Sequence, residues 1–342
     1  MRIDYKPLYR NRCSLRWINM SNTIIWTNQY FDAHHTEILT QRIAPAKLIV
    51  STQTSASNLV AGERDPTALQ ADVLFGQPHV DDLLESTALK FVQLSTAGYT
   101  RYDTPALFEN LKSRGIVLAN ASSLYDEPCA QHALAMLLSL ARAIPQAAMQ
   151  KQNASWQYLP LRGQSFLLDK QNVLLVGYGS IARRLVELLS PFRLNIKAIR
   201  RTPRGDENCA TFPIDTLDQH LPGTDIVINT LPASQSTKGI FDLSRLSQLP
   251  PHAIYLNIGR GDTTDQPALA SLLKTGRLRY AFLDVTTPEP LPPDNELWQL
   301  PNCFITPHTA GGTFDEPARM IDHLTRNLTS FLTESPINDR LV

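Results

Sequence analysis

Three polar residues stand where short apolar runs end. Arg260 lies between two glycines after Ala253–Ile258, Glu289 follows Tyr280–Val285, and His308 follows Cys303–Thr306. An arginine can hold a carboxylate and polarise a ketone. A histidine can protonate a developing alkoxide, and a glutamate can keep that histidine charged. Singly, each has an ordinary reading as a turn residue, a solvated acid or a capping histidine. Together, three strand ends converge on hydride transfer to a 2-keto acid. The hydride carrier is indicated by the loop Gly177-Tyr178-Gly179-Ser180-Ile181-Ala182. In such a G-x-G-x-x-A loop the first glycine makes a tight turn and the second admits a pyrophosphate. The small third residue lets helix and strand pack closely.

The loop is informative because of its setting. Val173–Val176 before it is wholly apolar, as a parallel strand buried on both faces would be. Ile181, Leu185, Leu188 and Leu189 after it mark one face of a helix. The next strand, Asn195–Ile199, runs into Arg200-Arg201-Thr202-Pro203-Arg204. An NAD-binding chain places an acid there, ~20 residues on, for the ribose 2′-hydroxyl. Arginines suit a 2′-phosphate instead, through charge-assisted hydrogen bonds and stacking on adenine. NADP(H) is the expected cofactor, with NAD(H) as the alternative.

The elements that must hold these residues form two βα series, an α/β class of two doubly wound, Rossmann-like domains. The first has strand candidates at Ile24–Trp26, Leu48–Val50, Val73–Phe75, Phe91–Leu94 and Ile116–Leu118. A helix over Glu127–Arg142, with Pro128 in its first turn, leads to the second series. That series runs from Val173 through Ile196–Ile199, Asp225–Thr230, Ala253–Ile258, Tyr280–Val285 and Cys303–Thr306, and a helix over Glu316–Leu332 follows.

A chain of 342 residues can bury two cores. Lys plus Arg and Asp plus Glu number 32 each, so no net field draws nucleic acid or an anionic membrane, and neither is an expected partner. Four dispersed cysteines without a C-x-x-C pair suit a reducing cytoplasm and give neither a disulfide framework nor a zinc site. His34, His35, His79, His132, His220, His252 and His323 have no partners at metal spacing, and no metal is expected. The apolar stretch Ala133–Ala141 is too short to span a bilayer. Residues 1–19 are basic and lack an apolar segment, so they are no secretory signal and are expected to be a disordered extension.

Four stretches taken together resemble the D-isomer-specific 2-hydroxyacid dehydrogenase family, which includes glyoxylate/hydroxypyruvate reductases. They are Gly177–Ala182, Asn257–Asp262, Leu283–Val285 through Glu289-Pro290-Leu291-Pro292, and Thr306–Gly311, within a likeness running from Ala71 to Phe331. The resemblance implies a flavodoxin-like substrate domain over residues 20–123 and 312–342, a nucleotide-binding domain (124–311) inserted into it, and a homodimer. It implies that Arg260 orients the substrate and that His308, paired with Glu289, is the acid/base. Asp284 would hold the nicotinamide amide, with Leu231, Pro232 and Ile258 along the cofactor. Backbone N–H groups at Gly76 and Gly98 would take the substrate carboxylate. Three departures stand out: Ala182 replaces the third glycine, Gln131 stands where the family usually has Glu, and Arg200 replaces the ribose acid. The expected protein is a cytoplasmic, NADPH-preferring reductase that turns a small 2-keto acid into a D-2-hydroxy acid. An NAD-dependent D-2-hydroxyacid dehydrogenase and a non-enzymatic NAD(P)(H)-sensing binding protein are the alternatives.

Overall fold

In a computed structural model, which describes residues 20–55 and 62–342, the chain divides into two compact units. One runs to Ala121 and includes Pro317–Val342; the other is Ser122–Glu316. The extension expected over residues 1–19 lies outside the described residues.

The first unit holds strands β1 (Ile24–Gln29), β2 (Lys47–Ser55), β3 (Val73–Gly76), β4 (Phe91–Leu94) and β5 (Val117–Ala119). They form one parallel sheet in the order β2-β1-β3-β4-β5, which is the flavodoxin order. Every residue of β3 and β4 is buried; β3 reads as an unbroken apolar run, and β4 is interrupted by Gln93, whose amide donates to the carbonyls of Leu94 and Asn120. Trp26, Leu74, Val92 and Leu118 meet Leu83, Leu107 and Leu111 from the flanking helices in one core. Each such buried side chain stabilises the unit by roughly 1.5–3 kcal/mol. The Glu316–Leu332 helix buries Met320, Ile321, Leu324 and Leu328, and its Phe331 ring stacks on Phe91 with centroids 5.2 Å apart.

The second unit holds β6 (Asn172–Val176), β7 (Asn195–Arg200), β8 (Ala210–Pro213), β9 (Ile226–Asn229), β10 (Ile254–Asn257), β11 (Tyr280–Leu283) and β12 (Cys303–Ile305). Their order is β12-β11-β10-β9-β6-β7-β8, all parallel. The order reverses at β6, whose neighbours are β9 and β7. In a doubly wound sheet that reversal opens a crevice beyond the carboxyl ends of the strands. Strand β8 has no counterpart among the sequence expectations. It is a short edge strand, only partly covered and ending in proline, so no apolar run marks it.

The helix leading into this unit spans Ser122–Ala141, starting before the expected Glu127. Pro128 therefore lies inside it, not in its first turn. A proline lacks the N–H that would reach back to the carbonyl of Leu124, which is why it reads as a start signal. Here Leu124, Pro128 and Cys129 are all buried, and their packing carries the helix past the missing bond. The helix lies against Ser180–Leu189, and Ala130, Ala133 and Leu137 share a core with Ala182, Leu185 and Leu189.

Candidate active site

The nucleotide loop follows β6 at the reversal point. Gly177 has φ +95°, and a Cβ there would lie 2.9 Å from Thr230 Oγ1 and 3.1 Å from Leu231 N. Its glycine is required both by the left-handed backbone and by the close pass of the segment after β9. Gly179 is the opposite case: a Cβ there would meet nothing within 4 Å. It is exposed and begins the Ser180–Leu189 helix, which has no side-chain cap. An uncapped helix N-terminus beside open space fits a pyrophosphate. Ala182 is fully buried, so the third position serves packing, as the fingerprint requires. Tyr178 is buried, and its ring lies under the guanidinium groups of Arg183 (5.6 Å) and Arg200 (5.9 Å).

Arg200, expected to face a 2′-phosphate, meets a carboxylate of its own chain. Its Nη1 donates to Glu207 Oε1 at 2.6 Å, and the two side chains are 16% and 4% exposed. The N–H groups of Arg204 and Gly205 also donate to Glu207, each at 2.8 Å. The Arg204 N–H bond leads in drawing the Glu207 carboxyl down to about 2, against the opposing effect of burial; the Arg200 and Gly205 bonds add to it. Arg201 is exposed and forms no ion pair with any described residue.

The Gly259-Arg260-Gly261 motif is explained by two close backbone approaches. A Cβ on Gly259 would lie 2.5 Å from Leu231 O, and one on Gly261 would lie 2.0 Å from Thr286 O. Arg260 is thus held between the segments that follow β9 and β11. Beneath it lies a buried polar web that sequence reasoning missed. Asn257 receives the Gly259 N–H and donates to Arg260 O at 3.1 Å, while Thr263 Oγ1 donates to Arg260 O at 2.6 Å. Asn229 donates to Thr263 and Tyr255, and accepts the Leu231 N–H at 3.1 Å. The available signal was an asparagine closing each of two otherwise apolar strands. Leu231 and Ile258 are buried here, and Pro232 is exposed.

His308 and Glu289 come together: His308 Nδ1 lies 2.7 Å from Glu289 Oε2, with the side chains 24% and 31% exposed. Burial would raise the Glu289 carboxyl, but the His308 bond, the Thr286 N–H and the nearby charges of His308 and Arg260 hold it below its ordinary value. With Nδ1 engaged, Nε2 is the ring nitrogen left to face a substrate. His308 has φ +53°, a strained setting for a non-glycine residue. Asp284 holds it there. The Asp284 carbonyl accepts the His308 N–H at 2.8 Å, and its buried carboxylate accepts from Thr306 Oγ1 (2.6 Å), Thr309 N (2.9 Å) and Ala310 N (3.0 Å). His132, which the sequence left without a role, reaches this group: its Nε2 lies 3.1 Å from Thr306 Oγ1 and 3.5 Å from Asp284 Oδ1. Gln131 beside it donates to Glu127, which pairs with Arg184.

Gly76 and Gly98 belong to the other unit. Gly76 has φ +122°, and a Cβ there would lie 2.3 Å from Asn28 Oδ1, which also accepts the Gln77 N–H at 2.8 Å. At the second loop, the carbonyls of Gly98 and Ala97 accept from Thr96 Oγ1 and Asn120 Nδ2. Among the described residues, no group of His, Cys, Asp and Glu is arranged to hold a metal, and no helix is long and apolar enough to cross a membrane.

Comparison with known proteins places this geometry. Residues 134–310 match the family model for the NAD binding domain of D-isomer specific 2-hydroxyacid dehydrogenases. An uncharacterised protein of Corynebacterium melassecola is 32% identical over 72% of this chain and 81% of its own length. The glyoxylate reductase/hydroxypyruvate reductase of Homo sapiens is 30% identical over 74% of this chain and 75% of its own length. In fold, an NADPH-dependent glyoxylate/hydroxypyruvate reductase from Sinorhizobium meliloti, solved with NADP and sulfate, superposes with a TM-score of 0.74 at 20% identity, covering 93% of this chain and 98% of that one. The family model covers half of the residues, including the nucleotide loop and the Arg260, Glu289 and His308 positions: this chain belongs to the D-isomer specific 2-hydroxyacid dehydrogenase family, oxidoreductases acting on CH–OH donors.

Proposed function

We propose that this chain is an NADPH-preferring reductase of small 2-keto acids, glyoxylate and hydroxypyruvate being the first candidates, that yields the D-2-hydroxy acid. The observation that carries the reading is the His308–Glu289 pair at 2.7 Å, held on the same sheet edge as the Arg260 loop and the uncapped nucleotide helix. When bound, NADPH supplies the hydride that C2 of the keto acid accepts. His308 Nε2 then gives its proton to the oxygen that becomes negative, and Glu289 stabilises the imidazolium before that transfer. Arg260, fixed by the two glycine approaches, polarises the ketone and orients the carboxylate. Among the described residues Asp284 Oδ2 accepts one N–H, that of Ala310, and it is assigned the nicotinamide amide. Leu231, Pro232 and Ile258 flank the dinucleotide, and Arg201 beside Arg200 takes the 2′-phosphate. Human and Sinorhizobium relatives named for glyoxylate and hydroxypyruvate support the substrate class.

The partner assigned is a second copy of the chain. Ile144, Trp156, Tyr158, Leu159 and Leu167 are exposed close together in sequence, Trp156 at 92%. Beside them a cleft of ≈ 420 Å³ is lined by Gln146, whose buried amide has no partner among the described residues. A symmetric dimer would cover this face. The free thiols of Cys129, Cys209 and Cys303 suit a cytoplasmic setting. The test is initial-rate oxidation of NADPH and NADH against 2-keto acids of graded size, with the product resolved on a chiral column. D-product formed faster from NADPH supports the reading. L-product, or nucleotide binding without turnover, removes it and brings the sensing alternative forward.

A further inference from the structure

The adenosine end of the site carries a charge that its sequence conceals. Arg200, Arg201 and Arg204 read as three cations awaiting a phosphate, yet Arg200 is already paired. Glu207 receives one guanidinium N–H and two backbone N–H groups, so its carboxylate is built into the loop and not free in solvent. Arg183 is also engaged, with Asp206 at 3.2 Å. Removing a guanidinium from a nearly buried carboxylate leaves an uncompensated charge and is strongly unfavourable. Arg200 therefore stays on Glu207 while its face lies over the Tyr178 ring; Arg201, the next residue, is an exposed cation beside it, and Arg204 is exposed three positions further on.

We propose that Glu207 is a specificity-determining counter-charge: it neutralises Arg200, leaves recognition of the 2′-phosphate to Arg201, and so tempers discrimination between NADP(H) and NAD(H). This rests on the NADP(H) reading given above. A fixed negative charge behind the subsite repels a phosphate dianion more than a hydroxyl, and the pair Arg200–Glu207 together presents little net field. Glu207 acts through Arg200 and touches neither reacting atoms nor nicotinamide. Its carboxyl, drawn down to about 2, is fully ionised at any working pH, so the counter-charge is permanent and not a pH switch.

The test compares wild type, Glu207→Gln, Arg201→Gln, Arg200→Gln and the Arg200→Gln/Glu207→Gln double variant. Two quantities are read: the ratio of kcat/KM for NADPH to that for NADH, and the calorimetric affinities for adenosine 2′,5′-bisphosphate and 5′-AMP. Glutamine keeps the shape and one acceptor oxygen, so one of the two loop N–H groups retains its partner while the charge is removed. Glu207→Gln should raise the NADPH ratio about fivefold, through KM and not kcat, as expected for one screened unit charge. Arg200→Gln should lower the ratio by exposing Glu207, and the double variant should return it to within about twofold of wild type. A ratio that is unchanged or lower in Glu207→Gln overturns the proposal, as does a double variant as low as Arg200→Gln, because Arg200 would then be the phosphate reader. If Glu207→Gln does not fold, Arg201→Gln decides: loss of the NADPH preference supports the proposal, and a retained preference refutes it. Equal wild-type affinities for the two adenosine nucleotides would sink the NADP(H) reading instead. A selective gain for the bisphosphate in Glu207→Gln would still uphold the counter-charge.

Discussion

Replacing Glu289 by Gln tests the chemistry of the pair more sharply than deleting it, because the amide can still accept the Thr286 N–H and reach His308. Two unit charges 4 Å apart attract by ~4 kcal/mol at an effective dielectric near 20. With His308 24% and Glu289 31% exposed, solvent screening reduces the usable part to about 1.4 kcal/mol, or tenfold in rate. Against the opposing effect of burial, the His308 bond and charge hold the Glu289 carboxyl below its ordinary value, so the carboxylate that faces the ring is ionised when the proton is delivered. Glu289→Gln removes that charge from beside the acid and should lower kcat/KM roughly tenfold with NADPH affinity retained. The assay is kcat/KM for the best keto acid at saturating NADPH, beside NADPH affinity by calorimetry. A kcat/KM within about twofold of wild type would mean that Glu289 only orients the ring, and the electrostatic argument would be wrong.

Other consequences can be checked in the same preparations. Gly261→Ala places a Cβ 2.0 Å from Thr286 O, so it should lower thermal stability by about 1–3 kcal/mol and reduce kcat/KM by displacing Arg260; an unchanged melting temperature would remove the close approach. His132→Ala should loosen the Asp284 brace and lower kcat more than it weakens NADPH binding, with His132→Gln intermediate; equal loss in both would mean simple unfolding. Glu207, with its carboxyl depressed to about 2, adds stability that is present above its unfolded value and lost as pH falls from about 4.5 toward 2. Urea melts over that range should therefore be flatter for Glu207→Gln than for wild type, and parallel curves would contradict the assignment.

Much of the candidate site was legible because its parts follow short apolar strands, β10 buried throughout and β12 partly so. Such strands write unbroken apolar runs, and the polar residue ending each run, Arg260 or His308, stands out against them. What escaped depends on contacts between segments distant in sequence. Glu207 lies in a loop after β7, and no spacing rule links it to Arg200. Asn229, Asn257 and Thr263 act together only because β9 and β10 pair side by side. His132 reaches Asp284 across 152 positions of chain, the difference between those two residue numbers. Strand β8 lacked an apolar pattern because it is an edge, and the helix start at Ser122 was hidden because Pro128 gives a local signal that packing overrides.

The most direct test of the central claim is His308→Gln. Its NADPH affinity should be measured by calorimetry and its turnover of the best keto acid compared with wild type. The account predicts NADPH affinity within about twofold of wild type and turnover lower by roughly 10²- to 10⁴-fold, the usual contribution of a general acid. Turnover within a few-fold of wild type would contradict it and take His308 out of the chemistry.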